Sequence, residues 1–441
     1  MPSKIQSTDY PYFPFRIASS AENRKRIVSP YTNGRGYLND SAELLLKLCN
    51  GSLSFGEITD ELSKIYSLPG EKIIGPAGKF ICRLTSDGLI WVRDQKMSWY
   101  DVPPPQTVFW EITSECNLKC LHCVVSADKK LDGELCTQSC CNFIDELKAF
   151  GIRDLVLSGG EPLIRDDFYH IARYARSRNI AVQLATNGVL VTGKVAKELK
   201  KLDISVQVSL DGSNAEIYGR FRGCKKAFPK VIRGIENLVN EGVDLTIGTV
   251  FSNHNLDDIP DMLKLVERHG VKIFRLIPFI PSGRGKINRD LEPGSSKVKE
   301  ITRYLYEMRG KVPFTILPLE FENVFSEPLC KQIDPLKPSE CGGAISYCTV
   351  TPEGDVLPCH YFYGVEADNI KERPFKWIWR QSRFLNYFRS LKIKDIEGYC
   401  RQCRWLADCR GSCKAANLSY GELFKSNRHC WLVEENANFE S

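Results

Sequence analysis

Three cysteines fall within eight residues, in Cys116-Asn-Leu-Lys-Cys120-Leu-His-Cys123. Thiolates on so short a loop can each hold one iron of a cube. Three such ligands leave the fourth iron of a [4Fe–4S] cluster open, and an open iron can coordinate a small molecule directly. Zinc is the competing occupant, but a structural zinc site takes four closed ligands. His122 would have to be the fourth, and its place beside Cys123 is sterically awkward. A second array lies near the other end: Cys341-x6-Cys348-x10-Cys359, then Cys400-x2-Cys403-x5-Cys409-x3-Cys413, then Cys430. Cys400-x2-Cys403 alone would read as half of a zinc ribbon. The turn Thr351-Pro352-Glu353-Gly354 would return the chain toward the metal before Cys359.

The 441-residue chain contains 18 cysteines, which suits a reducing compartment only if many of them bind metal. The first residues, MPSKIQSTDYPYFPFRI, have no apolar stretch of signal-peptide length. No run approaches the roughly 18 apolar residues of a membrane span. A cytoplasmic protein without a membrane partner is expected. Sixty basic residues against 54 acidic ones give a net charge of +6, scattered rather than blocked. That is a mixed solvated surface, and no nucleic-acid partner is expected.

The elements that must position these cysteines divide the chain into three. Residues 1–100 read as a small helical module. One helix carries Leu44, Leu45 and Leu48 after the caps Asp40 and Ser41, and ends at Gly51. A second runs from Ser54 to Tyr66, a third from about Glu71 to Asp87, and the short strand Leu89 to Val92 follows. Three helices with a strand suggest a winged-helix-like unit. Pro103, Pro104 and Pro105 make a stiff break. Residues 105–312 then alternate strands (Val108–Ile112, Asp154–Leu157, Ala181–Thr186, Ser205–Leu210, Leu245–Phe251, Ile273–Pro278) with helices such as Asn142–Phe150, Asp167–Arg178 and Val231–Glu241. Repeated β–α units predict an α/β fold with a parallel sheet, here a partial (β/α)6 barrel whose chemistry gathers at the C-terminal strand ends. Residues 313–441 are loop-rich and cysteine-rich, and metal clusters would supply stability that a small core cannot.

C-x3-C-x2-C after the first strand resembles the signature of the radical S-adenosylmethionine superfamily. Ser158-Gly159-Gly160-Glu161-Pro162-Leu163, after the second strand, resembles that family's GGEP loop. The resemblance implies a [4Fe–4S] cluster on Cys116, Cys120 and Cys123, with S-adenosylmethionine on its open iron. Gly159, Gly160, Glu161 and Pro162 would meet the cofactor's ammonium end, because glycines allow close backbone approach. Ser209, at the fourth strand end, and Arg222, before Gly223, would be further cofactor contacts, Arg222 pairing with the carboxylate. Asn187 and Asp211 read as turn-shaping residues. The implied chemistry is reductive cleavage to methionine and a 5′-deoxyadenosyl radical, which takes a hydrogen atom from substrate in a barrel closed to solvent.

The C-terminal array resembles the SPASM domain, a cysteine-rich iron–sulfur domain whose members carry two auxiliary [4Fe–4S] clusters, giving three clusters in all. By that resemblance Cys341, Cys359 and Cys413 ligate the first, with Cys348 a candidate fourth, and Cys400, Cys403, Cys409 and Cys430 the second. Without Cys348 the first auxiliary cluster would have an open iron. Cys49, Cys82, Cys136, Cys140, Cys141, Cys224 and Cys330 are left over and read as buried small hydrophobes. His360, beside a ligand, is a candidate acid/base group, with a packing role as its alternative. The N-terminal module resembles the peptide-recognition domain related to the pyrroloquinoline quinone chaperone, which binds a precursor's leader as an added strand. The rival DNA-binding winged helix lacks an Arg/Lys-rich recognition helix here.

Together these resemblances imply an oxidoreductase that abstracts hydrogen from a ribosomally made precursor peptide, recognised by its leader. It would form a thioether or carbon–carbon crosslink, with a flavodoxin or ferredoxin as low-potential electron donor. A protein-maturing enzyme of the sulfatase-maturase type and a zinc-binding peptide-recognition protein are the alternatives.

Overall fold

The computed structural model describes residues 5–13, 16–19, 25–28, 38–87, 89–93, 102–318, 321–325, 328 and 341–436. Cys330 lies outside them. The N-terminal module runs β1 (Tyr10–Tyr12), β2 (Arg16–Ser19), β3 (Lys25–Val28), α1 (Asp40–Leu48), α2 (Phe55–Tyr66), α3 (Gly70–Ser86) and β4 (Trp91–Arg93). β2 pairs with β3, and β1 pairs antiparallel with β4. The three helices fall where the apolar spacing puts them. Asn39, one residue earlier than expected, caps α1 by accepting from the Ala42 N–H, and Ser54 with Glu57 forms a capping box on α2. Such caps each contribute about 1 kcal/mol by satisfying helix N–H groups.

The larger part alternates β5 (Thr107–Glu111), α4 (Thr137–Phe150), β6 (Asp154–Ser158), α5 (Phe168–Ser177), β7 (Ala181–Thr186), α6 (Gly193–Lys201) and β8 (Ser205–Ser209). It continues with α7 (Ala215–Arg222), α8 (Phe228–Asn240), β9 (Leu245–Phe251), α9 (Ile259–Arg268), β10 (Ile273–Pro278) and α10 (Ser295–Met308), followed by β11 (Thr315–Ile316), β12 (Tyr347–Val350) and β13 (Val356–Leu357). One nine-stranded sheet has the order β11-β10-β9-β8-β7-β6-β5-β12-β13. All neighbours pair parallel except β12 and β13. The six expected strands are all present, and the cysteine-rich segment adds β12 and β13 to the same sheet. Its start is therefore hydrogen-bonded into the barrel rather than set apart from it.

Alternation along each strand separates two faces. Trp110, Leu157, Leu184, Val206, Val208, Ile247 and Phe274 are fully buried on one of them. Trp110 meets Phe143 of α4 edge-on at 5.0 Å, which identifies this face as the helix-covered one. Burying each such side chain stabilises the fold by roughly 1.5–3 kcal/mol. Residues one step along, among them Glu111, Gln183, Gln207, Ser209, Gly248 and Arg275, take the lumen face through paired register. Among the described residues no helix is long and apolar enough to cross a membrane.

Candidate functional site

The three cysteines of the first loop sit at the C-terminal end of β5, and each sulfur has an N–H near it. Asn187 Nδ2 lies 4.0 Å from Cys116 Sγ, Arg222 Nη1 lies 3.6 Å from Cys120 Sγ, and the Ala127 N–H donates to Cys123 Sγ at 3.4 Å. Without metal, burial pushes the Cys116 thiol up to about 11 and raises Cys120 as well, the Arg222 charge opposing it at Cys120. Iron would displace those protons, and N–H donors around the sulfurs then favour the thiolate form. Three neighbouring sulfurs, each with such a donor, suit a cluster bound on three ligands.

The loop after β6 is locked to this one. The Gly160 N–H donates to Thr113 O at 2.7 Å and the Glu161 N–H to Glu115 O at 2.8 Å. A Cβ on Gly159, whose φ is +141°, would stand 2.3 Å from Thr113 O, and one on Gly160 would stand 2.1 Å from Glu115 O. Both glycines are thus needed for the approach of the two loops, and each remains half-buried at the strand end. Pro162 follows, buried, opening a single 3-10 turn. Glu161 is fully buried and faces the protein: it accepts from Thr186 Oγ1 at 2.7 Å, the Asn187 N–H at 2.8 Å and the Leu163 N–H at 3.2 Å. Its carboxylate fixes the end of β7, and its backbone N–H and C=O are bonded to Glu115 O and the Ile164 N–H, so Glu161 is held wholly by the protein here.

Asp211 and Arg222 form a buried ion pair, Nε donating to the carboxylate. Asp211 also accepts from the Val250 N–H at 2.7 Å. Asp211 therefore does more than shape a turn, and Arg222 is already committed to a protein carboxylate and to Cys120. His122 stacks on Phe221 at 4.0 Å, and burial with the Arg222 and Arg284 charges keeps it neutral. Ser209 ends β8 half-buried, with no side-chain hydrogen bond among the described residues.

The C-terminal cysteines gather in two sets. Cys359 feels the charges of Cys341 and Cys413, and Tyr347 donates its hydroxyl to Cys341. Cys430 feels Cys400 and Cys409, and Cys403 feels Cys400. Backbone N–H groups of Gly343, Tyr361, Trp405 and Leu432 point at Cys341, Cys359, Cys403 and Cys430. Lys414, buried, stands among Cys341, Cys400, Cys409 and Cys413, between the two sets. Among the described residues no three Cys, His, Asp or Glu side chains converge on a point that one metal ion would occupy.

Cys348 is not brought to the first set. It pairs with Val108 on the helix-covered face of β12, fully buried, with Arg389 as its charged neighbour. Alternation sends Tyr347 toward Cys341 and Cys348 to the opposite face. Of the leftover cysteines, Cys49, Cys140 and Cys141 are buried, while Cys82 and Cys224 are partly so. Cys136 is exposed, contrary to expectation. It opens α4, where hydrogen bonds from Ser139 and neighbouring N–H groups lower its pKa.

Sequence reasoning misses two parts of the site. After β10, Arg284 donates to Cys120 O and Ala127 O, both at 2.8 Å, and Asn288 donates to Leu121 O at 3.1 Å. This segment clamps the cysteine loop from the far side of the barrel, and Gly283-Arg284-Gly285 is its sequence signal. The second part is Glu111, on the lumen face of β5 and 4% exposed, which accepts a hydrogen bond from Tyr363. Burial lifts its carboxyl to about 8. The pair lines a 160 Å³ cavity with Thr113, Thr351 and Asp355. His360 lies close enough to Arg275 for that charge, after burial, to hold it at about 4. A neutral imidazole of that kind is a weak base.

Two family models match: the radical SAM superfamily over residues 110–266, and an iron-sulfur cluster-binding (SPASM) domain over residues 341–404. An AdoMet-dependent heme synthase of Methanosarcina barkeri is 32% identical, over 74% of this chain and 96% of its own. The mycofactocin maturase MftC of Mycolicibacterium smegmatis is 33% identical, over 72% of this chain and 80% of its own. Among solved structures, Streptococcus suis SuiB bound to its precursor peptide SuiA superposes with a TM-score of 0.64 at 15% identity. That likeness covers 97% of this chain and 99% of SuiB. The structure of anSMEcpe with bound AdoMet gives 0.60 at 21% identity, covering 75% of this chain and 95% of that one. At these identities the structures show likeness of fold alone.

Proposed function

This chain belongs to the radical SAM superfamily and carries a SPASM iron–sulfur extension, and we propose that it matures a ribosomally made precursor peptide. The observation that carries the reading is the N-terminal module built on the barrel. The heme synthase match uses nearly all of that relative and covers 74% of this chain, and the MftC match covers 72% of it, so neither relative accounts for about a quarter of the chain. SuiB, by contrast, shares the fold over almost the whole chain. A leader-binding task accounts for the surplus module: helices α1, α2 and α3 leave an apolar recess of 500 Å³ lined by Leu45, Leu62, Ile73 and Phe80.

In this reading Cys116, Cys120 and Cys123 hold the reactive cluster, and Gly159, Gly160, Pro162 and Ser209 border S-adenosylmethionine. Cys341, Cys359 and Cys413 hold a first auxiliary cluster, and Cys400, Cys403, Cys409 and Cys430 a second. When bound, these groups supply the one-electron chemistry that removes a substrate hydrogen atom and accepts the electron left over as a thioether or carbon–carbon bond forms. Arg222, Arg284 and Glu161 hold the loops that position the reaction, and β12 extends the sheet beside β5. A flavodoxin or ferredoxin is the electron donor.

The test is anaerobic. Reconstituted protein is given reductant, S-adenosylmethionine and the peptide encoded by a short reading frame beside its gene. The reading requires 5′-deoxyadenosine together with a peptide lighter by two hydrogens. Consumption of a tetrapyrrole with the peptide untouched would overturn it.

A further inference from the structure

The arginines around the cysteine loop are engaged by the protein itself. Arg222 pairs with Asp211, Arg165 with Asp167 and Ile112 O, and Arg284 with two loop carbonyls. Arg275 differs. It lies mid-strand in β10, exposed, and has no hydrogen-bond or ion-pair partner among the described residues. Its direction follows from register. Arg275 pairs with Gly248 and Gly248 with Ser209, so the three share one row and one face. The flanking Phe274 and Leu276 are buried on the helix-covered side, which leaves the lumen to Arg275. Gly248 has no side chain to fill the space beside the guanidinium, and a Cβ there would meet the Gln207 amide at 3.0 Å.

A guanidinium offers five N–H donors in a planar fork and stays charged at every working pH. Its described lumen neighbours, Ser209 in this row and Gln207 beside Gly248, are neutral and cannot balance it. A guanidinium with no partner among the described residues is open to an anion from outside, and its fork matches a carboxylate through two parallel hydrogen bonds. We propose that Arg275 grips a carboxylate of the substrate and so sets which residue is presented to the reactive centre. This rests on the peptide reading above, within which the carboxylate is either the peptide's C-terminus or an Asp or Glu side chain.

The test uses reconstituted holoenzyme saturated with S-adenosylmethionine, as wild type, Arg275→Gln and Arg275→Lys. Each is offered one synthetic hexapeptide library in three forms: carboxylate-free (C-terminal amide, no Asp or Glu), free C-terminus, and amide with one Glu. Retained peptide is measured by anaerobic spin filtration and mass spectrometry. Wild type should retain one carboxylate form about tenfold above the carboxylate-free form, a ratio equivalent to about 1.4 kcal/mol. That form identifies the source. Arg275→Gln should lose the preference and Arg275→Lys should keep part of it, both with wild-type iron content and unchanged affinity for S-adenosylmethionine. Equal retention of all forms by wild type and Arg275→Gln overturns the proposal. So does weakened cofactor binding in Arg275→Gln, which would assign the carboxylate to S-adenosylmethionine. If no peptide is retained but glutarate binds and requires Arg275, the carboxylate site stands and the peptide reading falls. If neither binds, the site falls too.

Discussion

Arg222 donates to the Asp211 carboxylate from Nε while its Nη1 stands 3.6 Å from Cys120 Sγ, so one buried guanidinium joins the end of β8 to the cysteine loop. Removing only the cation would leave Asp211 buried and unpaired, a loss of about 3–5 kcal/mol. Arg222→Met should therefore melt well below wild type and retain less iron. Asp211→Asn combined with Arg222→Met should recover part of the melting temperature, because no lone charge remains. A double variant no better than the single one would show that the ion pair is not what the structure depends on here.

Gly160 is the tightest point between the two loops, and any side chain there must displace the Glu115 carbonyl. Gly160→Ala should separate the GGEP loop from the cysteine loop and break the Gly160–Thr113 and Glu161–Glu115 backbone hydrogen bonds. The expected result is loss of the reactive cluster's iron and of S-adenosylmethionine binding, with the auxiliary iron retained. Gly294→Ala, where nothing lies within 4 Å of the added carbon, serves as the control and should behave as wild type. Wild-type iron and cofactor affinity in Gly160→Ala would refute this account.

The barrel is legible in the sequence because strands and helices recur in repeated β–α units: Ala181–Thr186, Leu245–Phe251 and Ile273–Pro278 match their expected limits residue for residue. The cysteine loop and the GGEP loop are legible because both are short and continuous in sequence. What cannot be read is which partner a polar side chain takes across the fold. Glu161 and Thr186 are 25 residues apart, Arg284 and Cys120 are 164 apart, and Glu111 and Tyr363 are 252 apart. No local pattern encodes such contacts, so motif reasoning gives Glu161 to the ligand and passes over Glu111. Cys348 fails for a related reason. Spacing places it near a cluster, but strand alternation, visible only once β12 is known, turns it to the other face.

Cys348 and Cys359 accordingly respond differently to substitution. Cys348→Ala removes a packed thiol beside Arg389 and should keep the full iron content of the reconstituted enzyme. Cys359→Ala removes a sulfur that shares its surroundings with Cys341 and Cys413, and should lose one cluster's iron. Iron counting and electron paramagnetic resonance of the reduced proteins separate the two. Equal iron loss in both variants would restore Cys348 to the ligand set.

Glu111 gives the barrel a pH dependence whose sign is fixed by its burial. Its carboxyl stands at about 8 in the folded chain against an ordinary value of 4.5, raised by desolvation and partly offset by the hydrogen bond from Tyr363. Between those two values the folded chain holds a proton that the unfolded chain has released. Stability from this group is thus fully present below the lower value, falls as pH rises through the window, and levels off above about 8. Glu111→Gln keeps an acceptor for Tyr363 but cannot ionise. Its melting temperature should match wild type near pH 4.5 and exceed it progressively up to pH 8, the gap then staying constant. Each tenfold difference in proton affinity between the folded and unfolded chain is worth about 1.4 kcal/mol, so that final gap amounts to several kcal/mol. Melting curves of the reconstituted proteins across this range decide the matter, and parallel profiles for the two would mean that Glu111 is ionised in the folded barrel.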